Sequence, residues 1–127
     1  MGMLLNVAAA LDLARLGDTW AQLCVSPDGQ QRRCFCHVHD TVAGLLALLD
    51  ENGSIGDVFN VGAPQETTIN ELAKTIVELC GGKSTIEYAP ARAGEILKSR
   101  ARVDRMRDAL GVVAETKLVD GLRETLR

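Results

Sequence analysis

Aromatic residues are scarce in this chain of 127 residues, which has one Trp, one Tyr and two Phe, so any core must be built from aliphatic side chains. No apolar run approaches the roughly 20 residues that a membrane-spanning helix needs. The formal net charge of −3 gives no reason to expect a nucleic-acid partner. A glycine-rich phosphate or dinucleotide loop is also missing, since the only glycine pair, Gly81-Gly82, follows a predicted helix.

The cysteines are few and show no pairing pattern. There are four, at irregular spacing: Cys24, Cys34, Cys36 and Cys80. The apolar run that begins at Met3 lacks the basic flank and the clear cleavage site of a secretory signal. We therefore expect reduced thiols and a cytoplasmic location. No internal repeat or linker is evident, so residues 1–127 are interpreted as one domain.

Apolar periodicity and turn residues predict alternating helices and strands. Helices are predicted over 3–16, from an N-cap at Asp40 to Leu49, from a Thr68/Glu71 capping box to Leu79, over 103–110 and over 118–126. Strands are predicted at 20–25, 33–38, 57–61 and 85–88, the third of them buried. This order predicts an α/β fold, with α+β character in isolation, that contains a small mixed sheet and about five helices.

Four potential metal ligands occur close together in the sequence: Cys34, Cys36, His37 and His39. If the strand at 33–38 continues through them, alternation puts the cysteines on one face and the histidines on the other. The four cannot then surround one ion, and no second ligand pair follows, so no metal site is predicted. A Cys-His nucleophile also lacks an oxyanion-hole motif and an acidic partner, so no catalytic residue is assigned.

Two arginines, Arg33 and Arg92, remain as candidate binding residues. Arg33 follows a turn and begins a strand, and Arg92 lies between Pro90 and Gly94, where a restricted backbone can hold a side chain in place. Guanidinium groups suit phosphates and diphosphates. From the residues alone, ordinary exposed positions are the favoured interpretation, and diphosphate binding is the alternative.

Residues 29–40 resemble a segment of the extended short-chain dehydrogenase/reductases that reads roughly G-x-Q-x-R-x-F-x-x-V-x-D. These proteins are NAD-dependent nucleotide-sugar epimerases, dehydratases and decarboxylases. Five further segments resemble other motifs of the family and follow in the same order. They are residues 57–62, 68–73, 92–95, 108–111 and 118–122. Together they cover essentially the whole chain, which is most similar to the UDP-glucose 4-epimerase and UDP-glucuronate decarboxylase group.

The resemblance implies that residues 1–127 form a C-terminal substrate-binding lobe whose ligand is a nucleotide sugar, with a UDP-sugar favoured. It implies that Arg33 and Arg92 bind the diphosphate and that Glu95 lies beside the nucleotide ribose. The segment from Cys24 to Ser26 would line the base.

The family's cofactor-binding motif G-x-x-G-x-x-G and its catalytic Tyr-x-x-x-Lys are absent from this chain. Its only tyrosine, Tyr88, is followed four positions later by Arg92 instead of lysine. The resemblance therefore implies NAD in full-length members, but neither a bound cofactor nor catalysis by this chain alone. Two alternatives are a stand-alone nucleoside-diphosphate-binding or regulatory module, and a fragment that assembles with a separate Rossmann partner or with itself through apolar helix faces.

Overall fold

The computed structural model describes residues 23–25, 28–50, 55–90, 94 and 96–126. In chain order the elements are β1 (Leu23–Val25), β2 (Arg32–Cys34), α1 (Val38–Asp50), β3 (Glu66–Thr68), α2 (Ile69–Leu79), β4 (Ile86–Tyr88), α3 (Asp104–Leu110) and α4 (Leu118–Thr125). The predicted α/β class is confirmed. The helix predicted over 3–16 lies outside the described residues.

The described strands form two separate pairs and not one mixed sheet. Strand β1 runs parallel to β4, with Cys24 opposite Glu87. Strand β2 runs antiparallel to β3, with Arg33 opposite Thr67. A parallel bridge between Arg32 and Lys98 extends the second pair on the other side of β2. Strand β2 therefore has a backbone neighbour on both sides.

The prediction of a buried strand at 57–61 is wrong, because these residues form no strand and Val58 is 80% exposed. The side chain of Arg105 contacts this segment. Its guanidinium donates to the Val58 carbonyl at 3.2 Å and pairs with the Asp57 carboxylate at 2.7 Å. Strand β3, in contrast, was not predicted at all.

Strand β2 ends at Cys34, so the predicted strand at 33–38 is too long. The first turn of α1 begins where the Thr41 N–H donates to the His37 carbonyl at 3.1 Å. Asp40 therefore lies inside the first turn and is not the N-cap. Its carboxylate instead accepts from the backbone N–H groups of Glu115 and Thr116, at 3.4 and 3.2 Å.

The capping box at the start of α2 is confirmed. The Thr68 hydroxyl accepts from the Glu71 N–H at 3.1 Å, and the Glu71 carboxylate accepts from the Thr68 N–H at 2.8 Å. Both bonds satisfy polar groups that a helix N-terminus would otherwise leave unpaired. The predicted ends of two helices are also found, at Gly81 after α2 and at Gly111 after α3, each with positive φ.

The core lies between α2 and α4. Leu72, Ile76 and Leu122 form its buried cluster, against which Phe35, Leu79, Cys80 and Leu118 pack. Each fully buried side chain of this size stabilises the fold by about 1.5–3 kcal/mol relative to exposure. The core is mainly aliphatic, as the composition predicts. None of the described helices is long and apolar enough to cross a membrane.

Candidate functional site

Arg33 lies in β2 beside the segment that follows residues 92–95. The Arg32 N–H donates to the Leu97 carbonyl at 2.9 Å, and the Ser99 N–H donates to the Arg32 carbonyl at 3.3 Å. These bonds hold residues 97–99 along the edge of β2. The Arg33 guanidinium donates to the carbonyl of Ile96, the residue that follows Glu95 in the chain. The fold thus brings the strand of Arg33 to the end of the loop that contains Arg92 and Glu95.

Among the described residues, the Arg33 guanidinium contacts neutral acceptors only. Besides the Ile96 carbonyl, it donates to the Arg32 carbonyl at 2.8 Å and to the Gln31 side chain at 3.3 Å. Gln31 is itself buried. Within the part of the chain that the structure describes, no carboxylate forms an ion pair with Arg33. The side chain is therefore held in place by neutral groups of the described part, and a guanidinium suits anionic groups such as phosphates.

The carboxylate of Glu66, on the strand that pairs with β2, forms ion pairs with cations other than Arg33. Glu66 of β3 is opposite Cys34, and its oxygens lie 3.6 Å from Lys98 Nζ and 4.0 Å from Arg100 Nη1. Burial raises the pKa of the Cys34 thiol, Glu66 raises it further, and Arg100 opposes both. A raised pKa disfavours the thiolate, which is the reactive form of a cysteine.

Asn70, which sequence reasoning missed, joins the turn before β2 to β4. Its backbone N–H donates to the Gly29 carbonyl at 3.0 Å, and its side-chain NH₂ donates to the Asp28 carbonyl at 2.8 Å. Its side-chain oxygen accepts from the Tyr88 hydroxyl at 2.9 Å. The hydroxyl of Tyr88 is thus engaged in a structural contact. The Asn70 side chain also explains Gly29, where a Cβ would lie 2.0 Å from Asn70 Oδ1.

Two of the five predicted site residues lie within the described part of the chain. Arg33 is placed in β2, and Cys24 is the central residue of β1. Ser26, Arg92 and Glu95 lie outside the described residues, so their roles stay predictions.

The cavities of the described part are small. One of about 180 Å³ lies beside α3, and another of about 90 Å³ lies near Phe35 and Thr67. Sites for small organic ligands typically measure about 300–1,000 Å³. Arg33 lines neither cavity. The described residues therefore do not enclose a nucleotide sugar by themselves.

A second polar cluster joins the start of α1 to α4. His37 Nε2 lies 3.8 Å from one oxygen of Glu124, and His39 Nε2 lies 3.8 Å from the other. The two imidazole rings meet edge to face, with their centroids 4.8 Å apart. Sequence reasoning missed Glu124, because no local spacing connects a residue of the last helix to the two histidines.

A family model and individual known proteins indicate similarity to the same family. The model of the NAD dependent epimerase/dehydratase family matches residues 3–62. UDP-glucuronic acid decarboxylase 1 of Arabidopsis thaliana is 36% identical over 100 residues, which are 79% of this chain and 22% of the plant protein.

Solved structures agree with this assignment. UDP-glucose 4-epimerase of Thermotoga maritima, solved with UDP-glucose, has a TM-score of 0.82 and 25% identity over 96% of this chain and 38% of its own. MoeE5, solved with UDP-glucuronic acid and NAD, has a TM-score of 0.75 and 30% identity over 87% of this chain and 37% of its own.

This chain is similar to the NAD-dependent epimerase/dehydratase family of extended short-chain dehydrogenase/reductases, as the family-model match, the relatives and the solved structures agree. It spans 22% of the length of the Arabidopsis protein and 34% of a decarboxylase from Bacillus cytotoxicus. The chain therefore corresponds to about a third or less of each of these two relatives.

Proposed function

We propose that residues 1–127 form the C-terminal, nucleotide-sugar-binding lobe of an NAD-dependent epimerase/dehydratase, with a UDP-sugar as ligand and Arg33 as a diphosphate ligand. The observation that carries this proposal is the Arg33 guanidinium, which neutral acceptors hold and no carboxylate among the described residues pairs with. Relatives that are named for, or solved with, UDP-sugars support the ligand class.

Residues close to Ile96 in the sequence, and a segment that begins within β1, supply the remaining groups in this proposal. Arg92 is the second diphosphate ligand, Glu95 lies beside the ribose, and the segment from Cys24 to Ser26 lines the base. The contact between Arg33 and the Ile96 carbonyl supports this proposal, because Ile96 directly follows Glu95 in the chain. Diphosphate binding would replace that neutral acceptor with a charged oxygen, and arginine frequently binds phosphate oxygens in a bidentate manner.

The chain acts as a binding unit and not as a complete enzyme in this proposal. Its residues do not fit NAD, because the family's glycine-rich turn and catalytic Tyr-x-x-x-Lys are absent and the hydroxyl of Tyr88 is bonded to Asn70. Hydride transfer needs a held nicotinamide and a positioned acid or base. We therefore assign NAD to full-length relatives and no catalysis to this chain alone.

Calorimetric titration with UDP-glucose tests the proposal. Loss of a hydrogen bond to a charged group costs about 1.5–3 kcal/mol, so Arg33→Ala is expected to weaken binding by about tenfold or more. Arg123→Ala is the matched control, since Arg123 is an exposed arginine that pairs with Asp120 on α4. Unchanged affinity in Arg33→Ala would refute the assigned site, and tight NAD binding or turnover would refute the incompetence of the isolated chain.

The alternative of a stand-alone nucleoside-diphosphate-binding or regulatory module rests on the missing cofactor motifs. A titration with UDP and with UDP-glucose separates it from the leading proposal. Equal affinity for the two ligands favours the module, because the sugar then contributes no contact. Tighter binding of UDP-glucose favours the substrate lobe.

The apolar face of α1 supports a further partner. Val42, Leu45, Leu46 and Leu49 are each between 44% and 82% exposed. We propose that this face packs on a cofactor-binding half or on a second copy of the chain. Sedimentation at micromolar concentration tests self-association, and a monomer across that range would contradict it. The cytoplasm is the proposed compartment, since the described cysteines Cys34, Cys36 and Cys80 are free thiols.

A further inference from the structure

The contacts among His37, His39 and Glu124 serve no part of the proposed nucleotide-sugar site. Each of these residues offers one ligand atom, and these atoms all lie within 4.8 Å of one another. Two imidazoles and one carboxylate are the ligand set of many zinc sites that keep an open position for water. We propose that His37, His39 and Glu124 form a binding site for a divalent transition-metal ion, with Zn²⁺ as the ion that the ligands suit.

The distances require a closure that the exposed side chains can supply. Ligand atoms at about 2.0–2.1 Å from a tetrahedral zinc ion are about 3.3 Å apart. The two histidine nitrogens lie 3.8 Å from different oxygens of Glu124, and the three ligand atoms lie within 4.8 Å of one another, so their separations must shorten by about 0.5 to 1.5 Å. The side chains of His39 and Glu124 are 70% and 53% exposed and can rotate to achieve this.

His37 is the fixed ligand of the three. Its side chain is only 10% exposed, and its ring packs on Gly121, where a Cβ would lie 2.9 Å from His37 Cδ2. The His39 N–H donates to His37 Nδ1 at 3.4 Å, which turns Nε2 toward Glu124. Metal binding through Nε2 puts the ring proton on Nδ1 and gives up that hydrogen bond. Because the bond is long, its loss costs little.

Local charges leave the carboxylate available to a cation. Arg123, the neighbour of Glu124 in the chain, pairs with Asp120 at 3.0 Å. Among the described lysines and arginines, none forms an ion pair with Glu124. Within the described part, its ion-pair partners are the two histidines, which bind metal in their neutral form. The two histidines form ion pairs with Glu124 only when they are protonated. A bound metal ion would replace these contacts with coordination bonds.

The nearby cysteines are not part of this site. The Cys36 thiol points to the His37 carbonyl at 3.7 Å, and the Thr41 hydroxyl donates to its sulfur at 3.5 Å. An ion held by the other three ligands would join the start of α1 to α4. Since it would bind the folded chain, it would raise the unfolding temperature with increasing metal concentration.

The test uses the 127-residue chain without a histidine tag, titrated with Zn²⁺ by calorimetry and with Co²⁺ by visible absorption. The wild type is expected to bind one ion and to unfold at a higher temperature in the presence of Zn²⁺. His39→Gln and Glu124→Gln should each weaken binding by at least about tenfold, because loss of even an outer partner of a metal ligand costs 10–100-fold. Asp108→Asn, which changes an exposed carboxylate on α3 that pairs with Arg107, should bind like the wild type.

Three results would overturn the proposal. The first is no Zn²⁺ binding by the wild type, and the second is unchanged affinity in both His39→Gln and Glu124→Gln. The third is an intense sulfur-to-cobalt charge-transfer band, which would identify cysteine thiolates as the ligands. His39 is largely exposed, so the metal-free His39→Gln variant should unfold at the wild-type temperature, which separates loss of metal binding from loss of folding.

Discussion

Helices α1 and α2 have apolar residues at helical spacing but lie in opposite environments. In α2, Leu72, Ala73 and Ile76 are at most 7% exposed. In α1, Leu45 and Leu49 are 52% and 82% exposed, and the only buried residue is Gly44. An apolar stripe therefore predicts that a helix needs a covering surface, but it does not identify that surface or show that the same segment of chain supplies it.

The two helices are also attached differently. Helix α2 begins at its own capping box and packs against α4 through the core. Helix α1 approaches the rest of the described chain at Gly44, where a Cβ would lie 3.1 Å from Val61 Cγ1 and 3.5 Å from Met106 Sδ. The absence of a side chain at Gly44 permits this close approach. The region around α2 is thus a packed core, whereas α1 joins the described chain at Gly44 and through polar contacts of its first turn and leaves its apolar face exposed.

The largest expected difference between the two regions is in side-chain truncation. Ile76→Ala removes a side chain that is 2% exposed and is expected to lower the free energy of unfolding by about 2–5 kcal/mol. Leu49→Ala, in the exposed face of α1, should change it by less than about 0.5 kcal/mol. Urea denaturation at low protein concentration measures both. A comparable loss in Leu49→Ala would show that the face of α1 is covered in solution.

Glycines with left-handed backbone give the next contrast. Gly29 and Gly56 have φ values of +68° and +82°. Alanine at either position should cost about 1–2 kcal/mol in backbone strain. Gly29→Ala should cost a further 1–3 kcal/mol or so, because its Cβ meets the Asn70 side chain, whereas Gly56 faces open space. Equal losses of unfolding free energy in the two variants would show that Asn70 can move aside.

The helix starts differ by a smaller amount. Thr68→Ala removes the acceptor that caps α2 and is expected to lower the free energy of unfolding by about 0.5–2 kcal/mol. Thr41→Ala at the start of α1 should have less effect, because the Thr41 hydroxyl donates to the His37 carbonyl and caps no N–H group. Thermal and urea unfolding of both variants measure the difference. A larger effect at Thr41 would contradict this view of α1.

The smallest effect depends on pH. The Thr68 backbone N–H, followed by its hydroxyl, lowers the pKa of Glu71 in the folded chain. Because the folded pKa is below the unfolded one, the ionised carboxylate stabilises α2 above the unfolded pKa, and this contribution is lost as pH falls through the folded pKa. The stability gap between wild type and Glu71→Gln should therefore close on acidification. A gap that stays constant between neutral pH and pH 3 would exclude the carboxylate's charge as its source.

The Thr68→Ala background provides the control for this titration. It removes the hydroxyl partner of Glu71 but keeps the backbone N–H, so the gap caused by Glu71→Gln should shrink without vanishing.

Short-range features could be predicted from the sequence. The Thr68/Glu71 capping box and the end of α3 at Gly111 depend on residues within one helical turn, and the structure contains both. The position of Arg33 in a strand was also predicted, whereas its contact with Ile96 was not. That contact depends on how the segment at 97–99 pairs with β2, which local pattern does not specify.

The errors have the same physical origin. Residues 57–61 have strand propensity, but no described strand pairs with their backbone. The Val58 carbonyl accepts a hydrogen bond from the Arg105 side chain instead. Asp40 is a good N-cap by residue type, yet its carboxylate binds the backbone before α4. In both cases, a partner that is distant in sequence decided the outcome.

The sequence by itself determined the α/β class, the capped helix α2, the aliphatic core and the likeness to the epimerase/dehydratase family. These follow from short-range hydrogen bonding, apolar periodicity and ordered motifs. The tertiary structure alone fixes three further features: neutral groups of the described part hold the Arg33 guanidinium, α1 exposes its apolar face, and Glu124 lies beside His37 and His39. Each of these depends on contacts between segments far apart in the chain, which the folded backbone brings together.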